Sequence, residues 1–463
     1  MKLNKKIDEM KNQLISSTQE VLRIKSVEDE AKPGMPFGKG VSDCLECALK
    51  TCRDLGFKTV NLDGQVGYAE FGQGEDYVAI LGHLDVVPEG DGWLYPPYEA
   101  TIHDGKIYAR GALDDKGPIM ACLYGLKAIA DEKLPLSKRV RIIFGTNEET
   151  GSKEIEYYLT KEKPPVLGFT PDAEYPIIFA EKGLTVFNLE KKLKVKSQED
   201  LIIKYIKGGL RANMVPEYCE ALVYTKDIAS IMKAAEEFEK RTNYVTKAEI
   251  KDEFVLIKAY GVAAHGSLPQ LGKNAIMQML EFLGTLPLGQ CDLADTINFF
   301  NKYVGMETCG ETFGVALKDE ASGNLSFNVG VISVNENNAC ITLNLRYPVT
   351  FTFEDMMKPF KARIENTGFK MGEMDHQKPL YFPADHPLIK TLQKVYKEQT
   401  GNEPKLLAIG GGTYAKEMPN TVAFGPIFPG KPDLDHQVNE YIEVEDLILN
   451  AKIYAHTIYE LAK

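Results

Sequence analysis

Two histidines and four acidic stretches carry the chemistry that this sequence could perform. Gly82-His83-Leu84-Asp85 closes the apolar run 77–81, and alternation along a strand would put His83 and Asp85 on one face. A histidine with a nearby acid is commonly a satisfied core residue, but a ligand histidine also needs a carboxylate to fix its tautomer. Asp114-Asp115 precedes an apolar helical stretch, so these acids could cap a helix or could face a site. Glu148-Glu149 follows the apolar run 140–145, and Asp172 follows 167–170. Alone, each could be a solvated strand end. Together they end three successive strand-like runs in His/Asp, Glu/Glu and Asp, and open α/β sheets build their sites outside the carboxyl ends of strands. His436, in Asp433-Leu434-Asp435-His436-Gln437-Val438-Asn439-Glu440, adds a second imidazole among acids. Two histidines and several carboxylates with no cysteine nearby suit zinc, manganese or cobalt. Two such ions sharing a carboxylate could activate a water and polarise a carbonyl, leaving a free glutamate as general base.

The elements that must position these residues follow from periodicity. Amphipathic spacing of Ile7, Met10, Leu14 and Val21 predicts an opening helix, and a second covers 41–55. Strand-like runs at 77–87, 140–145 and 167–170, with a helix at 118–131, predict an α/β layer. From about residue 185 the texture changes to long alternating segments (185–196, 254–262, 328–334, 339–347) separated by helices near 228–241 and 274–283. From 382 the first texture returns. The expected fold is therefore α/β: a discontinuous catalytic domain, 1–184 and 382–463, with a central mixed sheet flanked by helices, and an inserted α+β lid, 185–381. At roughly 200 residues the insertion is long enough for two related units.

The wider composition excludes several classes. The 463 residues carry a net charge of -12, which disfavours nucleic acid and anionic membrane as partners. No apolar run approaches the roughly 18 residues of a membrane span. The N-terminal stretch is a charged helix pattern without a signal core, and the eight scattered cysteines read as reduced thiols, so a cytoplasmic protein is expected. Cys44 and Cys47 form a lone CxxC whose spacing suits one buried helix face better than a zinc or redox site.

The stretches GHLDVVPEGDGW (82–93), YARGALDDKGP (108–118), GTNEETGS (145–152), PDAEYP (171–176), AEKG (180–183), AAHGSLPQLGKNA (263–275), NLRYP (344–348) and DLDHQVNEYI (433–442) run in order through nearly the whole chain. In these the sequence resembles the di-metal aminoacylase/carboxypeptidase-G-like peptidases, a family that includes carnosinase and acetylornithine deacetylase relatives, and within it the bacterial dipeptidases. The resemblance implies His83 and His436 as ligands of different metals, Asp114 as the bridge, and Glu149 and Asp172 as the acids completing each. It implies Glu148 as general base, Asp85 as the group orienting His83, and a non-proline cis peptide at Asp114–Asp115. His265, in Ala264-His265-Gly266, could be a cap or surface histidine; the resemblance implies an oxyanion stabiliser. Arg346, odd in an apolar strand, suits a substrate carboxylate. Asn213 and the backbone of the turn Gly411-Gly412-Thr413 would assist it. The activity so implied is a metal-dependent dipeptidase, most simply with two Zn²⁺, working as a monomer with His265 acting in cis. An N-acyl amino acid deacylase is the alternative on the same site. A non-catalytic metal or ligand binder is a third reading, against which the presence of Glu148 counts.

Overall fold

A computed structural model describes residues 2–463. The chain divides into two compact units. One runs to Phe179 and resumes over Phe382–Leu407 and Thr413–Lys463; the other comprises Ala180–Tyr381 and Ala408–Gly412. The division falls a few residues before the expected Leu184, because the alternating strand that opens the insertion begins at Gly183 and pairs along its length with Asn338–Tyr347. The short glycine piece at 408–412 also goes with the second unit, which the sequence texture did not reveal.

The first unit is built on a mixed sheet in the order Lys58–Leu62, Val66–Phe71, Arg139–Gly145, Tyr77–His83, Leu167–Thr170, Thr421–Ala423 and Ile177–Glu181. Tyr77–His83 is parallel to both of its neighbours, and Thr421–Ala423 is parallel to Leu167–Thr170. Tyr77–His83 is wholly buried, as expected of a central strand covered on both faces. Tyr77, Ala79 and Leu81 face Ile155 and Tyr158 of the helix Lys153–Lys161. Gly82 points the other way, onto Ile119 of the helix Lys116–Asp131. This alternation delivers His83 to the end of the strand with its ring edge-on to Tyr414, centroids 6.0 Å apart. The strand stops there, short of the expected 87. Cys44 and Cys52 are buried on the helix Lys39–Asp54 as ordinary core residues.

The second unit is an eight-stranded antiparallel sheet in the order Val245–Lys251, Phe254–Tyr260, Tyr218–Tyr224, Ile202–Gly208, Ser326–Asn335, Asn338–Tyr347, Gly183–Lys192 and Lys370–Gln377. Its helices include Ile228–Thr242, Ala275–Gly284, Asp292–Tyr303 and Phe353–Ile364. One continuous sheet spans the insertion. A single apolar cluster runs from Phe187 through Ile257 and Leu280 to Phe360.

Candidate active site

Three strand ends, at His83, Gly145 and Thr170, converge in the first unit with the turn before the helix Lys116–Asp131 and the loop that carries His436. His83 is fully buried and Asp114 nearly so. The two carboxylate oxygens of Asp114 face different histidines: Oδ1 lies 2.9 Å from His83 Nε2, and Oδ2 lies 3.2 Å from His436 Nε2. His436 Nε2 is also 3.0 Å from Glu149 Oε2, and His83 Nε2 is 3.9 Å from Asp172 Oδ2. Ligand atoms of His83, Asp114 and Glu149 lie within 4.8 Å of one another, as do those of His83, Glu148 and Asp172. The structure thus brings together His83, Asp114, Glu148, Glu149, Asp172 and His436.

Asp85 acts differently from the expectation. Its side chain lies 3.6 Å from His83 Nδ1, whereas its backbone carbonyl is 3.0 Å away and makes the orienting hydrogen bond. The carboxylate instead accepts the N–H groups of Glu148 and Glu149, at 3.2 and 3.1 Å. One buried aspartate therefore fixes both the His83 ring and the turn that carries two glutamates. Asp115 stands at the N-cap of the helix Lys116–Asp131 but makes no capping bond; its Oδ2 accepts the His83 N–H at 3.2 Å. The peptide between Asp114 and Asp115 is cis.

The donor set fits divalent cations. Burial pushes the Glu148 carboxyl well up and that of Asp172 to about 7, each reinforced by neighbouring carboxylates. Burial would also raise Asp114, but hydrogen bonds from His436 and His83 outweigh it and hold that carboxyl below its usual range. Hydrogen bonds to Asp114 and Glu149 raise His436 to about 11. Burial pulls His83 down, yet Asp114 and Asp85 hold it well above the ordinary imidazole value. Glu149 Oε1 is buried without a hydrogen-bond partner. Crowded carboxylates, imidazoles drawn toward positive charge and an orphaned oxygen are what oxygen- and nitrogen-ligated cations would satisfy.

Of the remaining expected residues, Asn213, His265, Arg346, Gly411 and Gly412 belong to the second unit and Thr413 to the first. Met214–Val215 pairs with Ala264–His265, and the Gly266 N–H donates to the Asn213 carbonyl at 2.7 Å, so Asn213 and His265 adjoin. His265 Nδ1 contacts Ser267 Oγ at 2.6 Å. Ser326 Oγ donates to the Ser267 carbonyl at 2.8 Å, and Ser326 sits opposite Arg346 in the sheet. Arg346 is buried; its Nε donates to Asn344 Oδ1 at 3.0 Å and its Nη1 to the Gly410 carbonyl at 2.6 Å. Both partners are neutral, and burial pulls the guanidinium down to about 10. His265 is lowered by burial and then by the charge of Arg346, which favours neutral imidazole. Gly411 lies against the Arg346 guanidinium. The Thr413 hydroxyl accepts the Ala415 N–H at 3.2 Å and so caps its own short turn.

Sequence reasoning missed Arg110, Glu440, Glu154 and Tyr414. Arg110 and Glu440 lay inside quoted motifs, and an arginine next to a glycine turn that ends in two acids was the available signal. Glu154 carries no motif, and its position in the helix Lys153–Lys161 gives no sign in sequence of which turn is covered.

The family profile described as peptidase family M20/M25/M40 matches residues 79–460. The chain is 43% identical over 457 residues to "Putative dipeptidase YtjP" of Bacillus subtilis, covering 98% of both chains. It is 37% identical over 462 residues to "Putative dipeptidase" of Staphylococcus epidermidis, again over 98% of both. Among solved structures it is similar in fold to human carnosine dipeptidase 1 (TM-score 0.58, 18% identity, 99% of this chain and 98% of that one). It is likewise similar to aminoacylhistidine dipeptidase of Vibrio alginolyticus (TM-score 0.60, 12% identity, 97% and 96%).

Proposed function

Because the chain belongs to peptidase family M20/M25/M40, we propose that it is a metal-dependent dipeptidase acting on short unblocked peptides. The observation that carries this reading is Asp114, whose two oxygens each face a different histidine at hydrogen-bond distance. His83, Asp172 and one oxygen of Asp114 would hold one cation; His436, Glu149 and the other oxygen would hold a second. When bound, the cations, Zn²⁺ in the first instance with Mn²⁺ or Co²⁺ as alternatives, would lower the pKa of a water and polarise the peptide carbonyl. Glu148 takes the proton from that water and passes it to the leaving amine. Asp85 holds the Glu148–Glu149 turn in place through its two backbone bonds.

Roles in the second unit rest on the chemistry of its own cluster. Arg346, a buried cation with neutral partners, suits the C-terminal carboxylate of a substrate, with Asn213 and the backbone of Gly411, Gly412 and Thr413 as companions. Neutral His265 can donate a proton-bearing nitrogen to a developing oxyanion. We extend the proposal to a cytoplasmic monomer. The location is supported by the eight cysteines, which are all free thiols. The monomer is argued from the length of the insertion.

The test is a panel of dipeptides beside their N-acetyl forms, assayed after chelation and after restoring Zn²⁺, Mn²⁺ or Co²⁺. Turnover should vanish in chelator, return with metal, and favour the free amine. Glu148→Gln should lose roughly 10²–10⁴-fold in kcat while keeping two equivalents of metal. Full activity in chelator would end the metal reading, preference for N-acetyl substrates would make it a deacylase, and metal loss in Glu148→Gln would exchange the roles of Glu148 and Glu149.

A further inference from the structure

Arg110 and Glu440 lie 330 positions apart and form a buried ion pair, 2% and 0% exposed, that none of the roles above employs. The Glu440 carboxylate accepts four hydrogen bonds. Oε2 takes Arg110 Nη1 at 2.7 Å and the Gly111 N–H at 3.0 Å; Oε1 takes the N–H groups of Leu113 at 2.8 Å and Asp114 at 3.2 Å. It therefore grips the whole turn that ends in the bridging acid. The guanidinium grips the other loop: Nη1 donates to the Gln437 carbonyl at 3.1 Å and Nη2 to the His436 carbonyl at 3.3 Å. Nη2 also reaches the Glu89 carbonyl at 3.4 Å, and the Trp93 ring lies 5.4 Å from the guanidinium carbon.

The two histidines depend on such support unequally. His83 closes a fully buried strand and its ring is fixed by the Asp85 carbonyl. His436 sits in an irregular loop at φ +62°, a backbone region unfavourable to a residue with a side chain, and its side chain is 54% exposed. Packing does not hold its ring in place; the backbone bonds from Arg110 hold its loop.

We propose that the Arg110–Glu440 pair is a positioning device that fixes the distance between Asp114 and His436, and thereby sets the affinity of the cation position that His436 completes. The inference rests on the metal-ligand reading above. Its removal leaves the His83 position with its own supports, the strand and the Asp85 carbonyl, and leaves the His436 loop without an anchor. Outer partners of metal ligands are typically worth about 10–100-fold in metal affinity.

The experiment is a calorimetric titration of the full-length apo chain with Zn²⁺ alone, for wild type, Glu440→Gln, Arg110→Lys and His436→Ala. Glu440→Gln keeps the shape and one oxygen for the Leu113 and Asp114 N–H groups but puts an NH2 donor where Arg110 and Gly111 donate; Arg110→Lys keeps a buried cation opposite Glu440 but loses the fork. Wild type should bind two equivalents. Both clamp variants should weaken one equivalent by at least about tenfold and the other by less than about threefold. Adding Glu440→Gln to His436→Ala should not weaken the remaining equivalent further. Should Glu440→Gln fail to fold, Arg110→Lys decides alone. Equal weakening of both equivalents, or none in a folded variant, overturns the proposal. A wild type that binds fewer than two equivalents overturns instead the metal reading on which it stands.

Discussion

Glu154 shows how far a single residue's surroundings can outweigh its type. Its side chain is fully buried, Oε1 accepts the Tyr414 hydroxyl, and Oε2 has no partner. Burial pushes the carboxyl up to about 7 from an ordinary 4.5. The folded state thus prefers the protonated form, and stability contributed by this group falls as pH rises from 4.5 to 7, levelling off outside that window. Glu154→Gln should therefore be more stable than wild type at pH 8, by up to roughly 3 kcal/mol, with the advantage gone near pH 4.5. Urea unfolding of both proteins at pH 8 and pH 5 checks this; a difference independent of pH would contradict it. His83, Glu149 and Asp172 were legible in sequence because each follows an apolar strand, and Asp114 and His436 because they stand among other acids next to a helix start or in a loop. Glu154 was not, because a glutamate in a charged-looking helix gives no sign of which turn is covered. The role of Asp85 was half legible: the residue was found, but a sequence cannot say that a backbone carbonyl rather than the carboxylate meets His83.

At the scale of elements, the packing of Tyr77–His83 against the helix Lys116–Asp131 sets where His83 and Asp115 meet. Gly82 is the contact point. A Cβ there would stand 2.2 Å from Asp115 Oδ2 and 2.8 Å from Ile119 Cδ1. Asp115 cannot withdraw without breaking its bond to the His83 N–H, and Ile119 is met at its Cβ too, 2.9 Å away, so turning its tip aside gives no room. Gly82→Ala should cost about 1–3 kcal/mol and reduce metal retention. Gly372→Ala, whose methyl would meet nothing nearer than 3.4 Å, should stay within about 0.5 kcal/mol of wild type. Thermal unfolding with metal analysis compares the two, and an unperturbed Gly82→Ala would refute the packing argument. The strand–helix–strand order of this layer was readable because its buried strands are short, continuous apolar runs on either side of a longer helical stretch. The Arg110–Glu440 pair was not readable as a pair, since its members lie in motifs at opposite ends of the chain and each looks complete on its own.

For the whole molecule, the prediction concerns self-sufficiency. If His265 serves the metals of its own chain, mixing inactive His265→Ala with inactive Glu148→Ala restores no turnover, and the protein elutes at the size of one 51.6 kDa chain. Recovered activity in the mixture would mean that the histidine comes from a partner chain. The change of texture near residue 185 located the insertion, because antiparallel strands alternate while buried parallel ones do not. It could not place Ala408–Gly412, a glycine-rich piece with no side-chain pattern to assign it to either unit.

The sheet of the first unit also has a history in the cell. Leu167–Thr170 has Tyr77–His83 as one parallel neighbour but receives the other only from Thr421–Ala423, and His83 meets the loop of His436 only after more than 350 further residues have been made. At about 5–20 residues per second, the ribosome leaves that strand edge unpaired for roughly 13–50 s and the carboxylate cluster open for roughly 20–70 s. An exposed, apolar edge of this kind invites pairing with another nascent chain. Translation speed and chaperone supply over the stretch between residues 170 and 421, rather than the strength of the finished fold, should therefore set how much of this protein a cell recovers in active form.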